Sequence, residues 1–289
     1  MSSSMFRGTG VALITPFKED YSIDFESLKK VLSHVSDDVD YLVILGTTGE
    51  APTLSAEEKN QITEFVIEHN IKKLPLVYGL GGNSTQWVLD QIDIIKDYPI
   101  DAILSLSPYY NKPSQEGIIK HYTTIADASP FPIILYNVPA RTSSNITADT
   151  TLKLSNHPNI IGTKEASGNL MQCMEILKNV PEEFLLISGD DALTLPMMSF
   201  GCAGAISVIA NLQPKDFSEM VRKAANGQYE DAAKLHYQML EGYELVGAEG
   251  NPVSVKCGLN QLGVISSQMR LPLVPGTPQL EQSFREYLK

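Results

Sequence analysis

Eight short apolar runs, spaced along the chain with amphipathic stretches between them, limit what this polypeptide can become. They are GVALITPF (10–17), YLVILGTTGE (41–50), PLVYGLGG (75–82), AILSLSPYY (102–110), FPIILYNVP (131–139), NIIGTKEAS (159–167), FLLISGDD (184–191) and GAISVIAN (204–211). Apolar residues follow one another in these runs instead of alternating with polar ones, so each predicted strand is buried on both faces, as in a parallel sheet. The intervening segments repeat at helical spacing. In 24–37, Phe25, Leu28, Val31, Leu32 and Val35 fall on one face, and 55–70 opens with Ser55 followed three residues later by Glu58, the pattern of a capping box. Further helices are expected over 84–97, 114–127, 146–156, 169–180 and 193–201. Alternating strands and helices in this number predict an α/β fold, a (β/α)8 TIM barrel. A doubly wound open sheet is the competing architecture. It would carry GxGxxG after its first strand, whereas GTGVAL stands before the first run here. Beyond residue 211 the pattern is helical only. The expected organisation is a barrel over 1–225 that carries the site, and a C-terminal helical extension over 226–289 packed on it.

Composition narrows the partners. The 289 residues carry a formal charge of −12 at pH 7 and no Lys/Arg-rich run, which argues against nucleic acid. No apolar run approaches the roughly 20 residues of a membrane span, and MSSSMFRGTG lacks the apolar centre of a secretory signal. Cys173, Cys202 and Cys257 are distant and form no CxxC pair, which suits reduced thiols in the cytoplasm. None of the histidines stands in an HxH or HExxH pattern, so a histidine-ligated catalytic zinc is not expected.

In a barrel the C-terminal ends of all strands meet on one face. That placement gathers Gly46-Thr47-Thr48-Gly49-Glu50, Tyr109-Tyr110-Asn111, Tyr136-Asn137 with Arg141, Lys164, Gly189-Asp190-Asp191 and Ile206. Each has an ordinary reading. Lys164 could be leaving the core with its head in solvent. GTTGE could be a plain strand–helix turn, and Tyr136 a barrel-layer aromatic. Tyr109 and Tyr110 could be surface rings, Arg141 a solvated charge, and Asp190 and Asp191 caps of the following helix. Together they suggest more. A lysine desolvated at a strand end favours its neutral, nucleophilic amine. A neighbouring tyrosine can move the protons that imine formation requires. A threonine-glycine loop offers hydroxyls and backbone N–H groups to a carboxylate. The set fits imine chemistry on an α-keto acid, without cofactor or metal.

The motifs GTTGE, SPYYNKP, YNVPARTS, IIGTKEASG, SGDD, GAISVIAN and EGNPVSVKCGLNQLG, in this order and spacing, resemble the dihydrodipicolinate synthase/N-acetylneuraminate lyase superfamily, and its dihydrodipicolinate synthase branch most closely. The resemblance runs from about Phe6 to the final helix. It implies an enzyme, a lyase, that joins pyruvate to aspartate semialdehyde on the way to lysine and diaminopimelate. Lys164 would form the pyruvate imine and Tyr136 would donate and accept protons. Thr47 and Tyr110 would complete the relay, Tyr110 reaching in from a neighbouring subunit of a homotetramer. Thr48, Gly189 and Ile206 would hold the keto acid, and Arg141 the carboxylate of the semialdehyde. Sugar-acid pyruvate aldolases and a non-catalytic keto-acid binder are the alternatives. At the lysine-inhibition cleft of the family Asn83 and Tyr109 match, whereas Ala56, Lys59 and Trp87 stand where sensitive members carry histidine, histidine and glutamate. Feedback by lysine is therefore expected to be weak or absent.

Overall fold

The structure is a computed structural model describing residues 3–289. Met1 and Ser2, with which both the expected barrel range and the N-terminal reading begin, lie outside it. Strands β1 (Gly8–Ala12), β2 (Tyr41–Ile44), β3 (Leu76–Gly79), β4 (Ala102–Leu106), β5 (Ile133–Asn137), β6 (Ile160–Glu165), β7 (Leu185–Ser188) and β8 (Gly204–Ser207) form a closed parallel barrel in chain order, with β8 paired to β1. The open-sheet alternative is excluded. The first strand departs from expectation. It starts at Gly8, so GTG lies inside it, and Leu13–Phe17 lie beyond its end. The reason is the seam where the barrel closes. Gly8 pairs with Gly204 there, and a Cβ on Gly204 would collide with the main-chain carbonyl of Gly8. The glycines that resembled a loop are what lets two backbones meet.

Around the barrel run α1 (Phe25–Val35), α2 (Ala56–His69), α3 (Thr85–Ile95), α4 (Gln115–Ala128), the one-turn α5 (Pro139–Thr142), α6 (Ala148–Leu154), α7 (Leu170–Asn179), α8 (Thr194–Met198) and α9 (Pro214–Ala225). Their starts are set by side chains that accept otherwise unpaired backbone N–H groups. Asp24 caps α1, Ser84 caps α3, Ser114 caps α4 and Asn169 caps α7. Ser55 and Glu58 form the expected capping box of α2. One apolar cluster fills the space between sheet and helices. A second fills the barrel interior with Ala12, Val43, Leu104, Tyr136, Ile187 and Ile206 among its members. Because strands contribute to both, their residues are buried on both sides, which accounts for the absence of alternation in the sequence.

The C-terminal helices are α10 (Tyr229–Gln238), α11 (Leu240–Ala248), α12 (Val253–Gln261) and α13 (Pro278–Tyr287). The stretch 228–247, continuous in its helical pattern, is broken at Met239, whose fully buried side chain fixes the corner between α10 and α11. That bend turns the end of α11 and the loop after it toward the mouth of the barrel. Among the described residues no helix is long and apolar enough to cross a membrane.

Candidate active site

The register of β5 against β6 pairs Tyr136 with Lys164. Successive residues of a strand face opposite sides, so Lys164 points into the barrel and Glu165 away from it. Lys164 is 5% exposed, and its Nζ lies 4.4 Å from the centroid of the Tyr136 ring. This is not a lysine with its head in open solvent, and among the described residues no carboxylate pairs with it. Tyr136 belongs to the interior cluster, as a barrel-layer aromatic would, and it also lines a cavity with Lys164.

That cavity, about 510 Å³, opens at the C-terminal ends of the strands. It is large enough for a small acid, and its floor is apolar, with Ala12, Val43 and Leu104 beside the lysine stem. Thr47, Thr48, Arg141 and Gly189 are in its wall, as expected from the sequence. Thr48 and Arg141 are linked through a residue to which the sequence motifs assigned no role. Asn251 Nδ2 donates to Thr48 Oγ1 at 2.9 Å, and Arg141 Nη2 donates to the Asn251 carbonyl at 3.1 Å. The glycine-threonine turn is held from below. Its Gly49 N donates to the Gly46 carbonyl, Glu50 N donates to the Thr47 carbonyl, and Thr15 Oγ1 donates to the Gly49 carbonyl.

Gly189 follows β7 directly, and its place is set by crowding. An added Cβ would stand 2.6 Å from Ala166 Cβ, and 3.0 and 3.1 Å from Lys164 Cε and Cγ. Only a residue without a side chain lets the lysine lie across it. Behind the strand, the buried Glu165 carboxylate accepts from Asn137 Nδ2, Gln172 Nε2 and Ser167 N. Burial raises its pKa, and these donors oppose the rise. The network ties β5, β6 and α7 together, so the backbone that carries Lys164 has little freedom.

Two expected site residues are elsewhere. Ile206 is 1% exposed in the interior cluster and is absent from the cavity wall. Tyr110 is 87% exposed, at φ 70°, and does not reach the cavity of its own chain. The aspartates divide. Asp190 Oδ1 accepts from Leu193 N, as a cap of the following turn would. Asp191 does not cap. Its Oδ2 accepts from Val208 N and Ile209 N, pinning the segment after β8. Burial raises the pKa of Asp191 against these two bonds.

The far wall of the cavity consists of Tyr243, Val246, Gly247, Gly250 and Asn251, from α11 and the loop after it. EGNPV at 249–253 was the signal for this wall. Its asparagine is the kind of residue that bonds with both side chain and backbone. The loop leads into α12 and to Lys256, which pairs with Glu50 in the core. Among the described residues no three His, Cys, Asp or Glu side chains are grouped as a metal ion would need. What the cavity offers instead is a largely buried amine above an apolar floor, beside a phenol, hydroxyls and a guanidinium.

A family profile described as the dihydrodipicolinate synthetase family matches residues 5–289. The chain is 48% identical over 291 residues to a 4-hydroxy-tetrahydrodipicolinate synthase from Parabacteroides distasonis, with 100% of this chain and 98% of the relative covered. To the enzyme of the same name from Aquifex aeolicus it is 39% identical over 287 residues, covering 99% and 97%. Its backbone superposes on a crystal structure of dihydrodipicolinate synthase from Thermotoga maritima with a TM-score of 0.96, at 33% identity and 98% coverage of each chain.

Proposed function

The chain belongs to the dihydrodipicolinate synthetase family, and from that membership we propose that it condenses pyruvate with L-aspartate 4-semialdehyde to 4-hydroxy-tetrahydrodipicolinate, with Lys164 carrying pyruvate as an imine. The observation that carries the residue assignment is the unpaired, enclosed Lys164 amine against the Tyr136 ring. The amine attacks the pyruvate ketone, and the carbinolamine loses water to give the imine. Tyr136 moves the protons of both steps. The imine draws electrons from the adjacent methyl, which loses a proton and becomes the nucleophilic carbon of an enamine. That carbon attacks the aldehyde. A C–C bond forms, and the aldehyde oxygen takes up a proton to become the hydroxyl. The amino group of the semialdehyde then attacks the imine carbon, closes the ring and releases Lys164. Every electron shift passes through the imine, so the scheme requires neither cofactor nor metal.

Thr48 donates its hydroxyl proton to the pyruvate carboxylate, a role supported by its oxygen already accepting from Asn251. Arg141 holds the carboxylate of the semialdehyde, which a planar guanidinium can grip with two parallel hydrogen bonds. Thr47 and Tyr110 complete the proton relay, and the exposure of Tyr110 supports its acting in the neighbouring subunit of a homotetramer. Gly189 belongs to the keto-acid site through the path it leaves for the lysine, whereas Ile206 backs the floor residues from the interior cluster without lining the cavity. A cytoplasmic location suits the three buried free cysteines.

Pyruvate with borohydride, followed by intact mass and peptide mapping, tests the assignment. The expected result is one reduced pyruvate adduct on Lys164, lost in Lys164→Ala. Turnover is then measured with aspartate semialdehyde beside sugar-derived aldehydes. A folded protein without the adduct refutes the imine, and turnover of the sugar aldehydes alone refutes the semialdehyde.

A further inference from the structure

Lys256 and Glu50 play no part in the chemistry above, yet they form a buried ion pair between segments 206 residues apart in sequence. Lys256, on α12, is 0% exposed. Its Nζ donates to Glu50 Oε1 at 2.5 Å and to the Gln268 carbonyl at 3.2 Å, and it lies 4.3 Å from the Phe17 ring centroid. Glu50 Oε2 is buried with no partner of its own. An apolar pair of the same volume would often stabilise a fold as well or better, because each buried ion loses its hydration. Desolvation is large enough here to pull the Lys256 pKa down to about 8, although the Glu50 carboxylate opposes the shift. Stability alone is therefore a weak reason for the pair. What it provides is a directed connection.

The connection runs between two segments that meet again at the cavity. Glu50 ends the Thr47-Thr48-Gly49 turn, with its backbone at φ 54° and its N–H on the Thr47 carbonyl. Lys256 follows Asn251, whose amide donates to Thr48 Oγ1. The bond between Thr48 and Asn251 aims the Thr48 hydroxyl only while the two segments keep their register. We propose that Glu50 and Lys256 are positioning residues for the keto-acid carboxylate: their ion pair locks the threonine turn to the 251–256 segment, so that Thr48 presents its proton to that carboxylate. This rests on the reading of Lys164 and Thr48 given above.

The test compares Lys256→Met, Glu50→Gln and the double variant Glu50→Gln/Lys256→Met with the parent, each as the full chain. Thermal midpoint is measured beside the pyruvate concentration that gives half-maximal borohydride trapping on Lys164. Acetone, which lacks a carboxylate, serves as the second carbonyl probe. Lys256→Met leaves a buried unpaired carboxylate and loses stability, whereas the double variant regains most of it. Both are expected to need about tenfold more pyruvate for half-trapping, roughly what one hydrogen bond to a charged group is worth. Trapping at saturation and trapping of acetone stay at parental values. If Lys256→Met does not fold, the double variant and Glu50→Gln carry the comparison. A double variant with parental half-trapping, or an equal change with acetone, overturns the inference and leaves the imine assignment standing. A parent that forms no adduct overturns both.

Discussion

Gly189→Ala probes the geometry of the lysine more sharply than removing the lysine does. The new methyl would stand 2.6 Å from Ala166 Cβ and 3.0–3.1 Å from two carbons of the Lys164 stem. Carbon atoms in contact prefer about 3.5–4.0 Å, so the lysine stem must move by several tenths of an ångström to about 1 Å. Overpacking of this kind costs about 1–3 kcal/mol of stability. The larger effect falls on chemistry, because a displacement near 1 Å at a reacting group can cost about 100-fold in rate. The assay is the rate of borohydride-trapped imine formation at saturating pyruvate, with circular dichroism and thermal unfolding run on the same sample. Ala166→Gly in the Gly189→Ala background removes the Cβ–Cβ collision and leaves the contact with Lys164. It should restore stability without restoring the trapping rate. If Gly189→Ala is folded and traps pyruvate at the parental rate, the claim that this glycine exists to clear a path for the lysine is wrong.

Tyr136→Phe keeps the ring over Lys164 and removes the phenol; imine trapping should slow by about 10²–10⁴-fold with little change in thermal midpoint, and parental trapping would remove Tyr136 from the proton transfers. Acid should unfold the protein in two overlapping ranges. Burial pulls His121 from 6.5 to about 4, so between these values the unfolded chain binds a proton that the folded one refuses, and stability falls as pH drops through that window. Hydrogen bonds from Arg270 hold Glu58 at about 2 rather than 4.5, so its contribution is whole above pH 4.5 and lost toward pH 2. Each is worth up to about 3 kcal/mol, less for Glu58 because solvent screens it. In His121→Gln the slope of stability between pH 6.5 and 4 should flatten, and a urea midpoint that the parent keeps unchanged across that range would refute the assignment. Lysine added to the activity assay is expected to inhibit weakly or not at all, as the residues Ala56, Lys59 and Trp87 imply through the family resemblance; inhibition at sub-millimolar lysine would contradict it.

The barrel was legible because burial on both faces of a strand leaves a direct mark in sequence. Runs such as Leu42–Ile44 and Ile133–Leu135 have no polar alternation, and both faces of each are packed. Boundaries were less legible where backbone contact, and not hydrophobicity, sets them. The first strand begins at Gly8 because Gly204 must approach it, and a glycine pair read locally looks like a turn. The same limit applies at Gly189. The sequence shows a glycine after an apolar run, but the lysine stem that requires it lies on the adjacent strand.

Lys164, Tyr136 and the threonine turn could be grouped from sequence because barrel topology alone brings strand ends to one face. No such rule reaches Asn251 or Lys256, which lie outside the repeating units. Their relation to Thr48 and Glu50 depends on the corner at Met239 and on how α12 packs, both set by tertiary contacts. Tyr110 is the converse case. Its chemistry was recognisable, but within one chain it is exposed and outside the cavity lining, so the proposed role of Tyr110 requires a second copy. In the proposed scheme, strand ends supply the reactive amine and phenol, and the C-terminal segment sets the aim of the hydroxyl that meets the substrate. A substitution in that segment should therefore appear first in pyruvate half-saturation, while one at a strand end should appear first in the rate of imine formation.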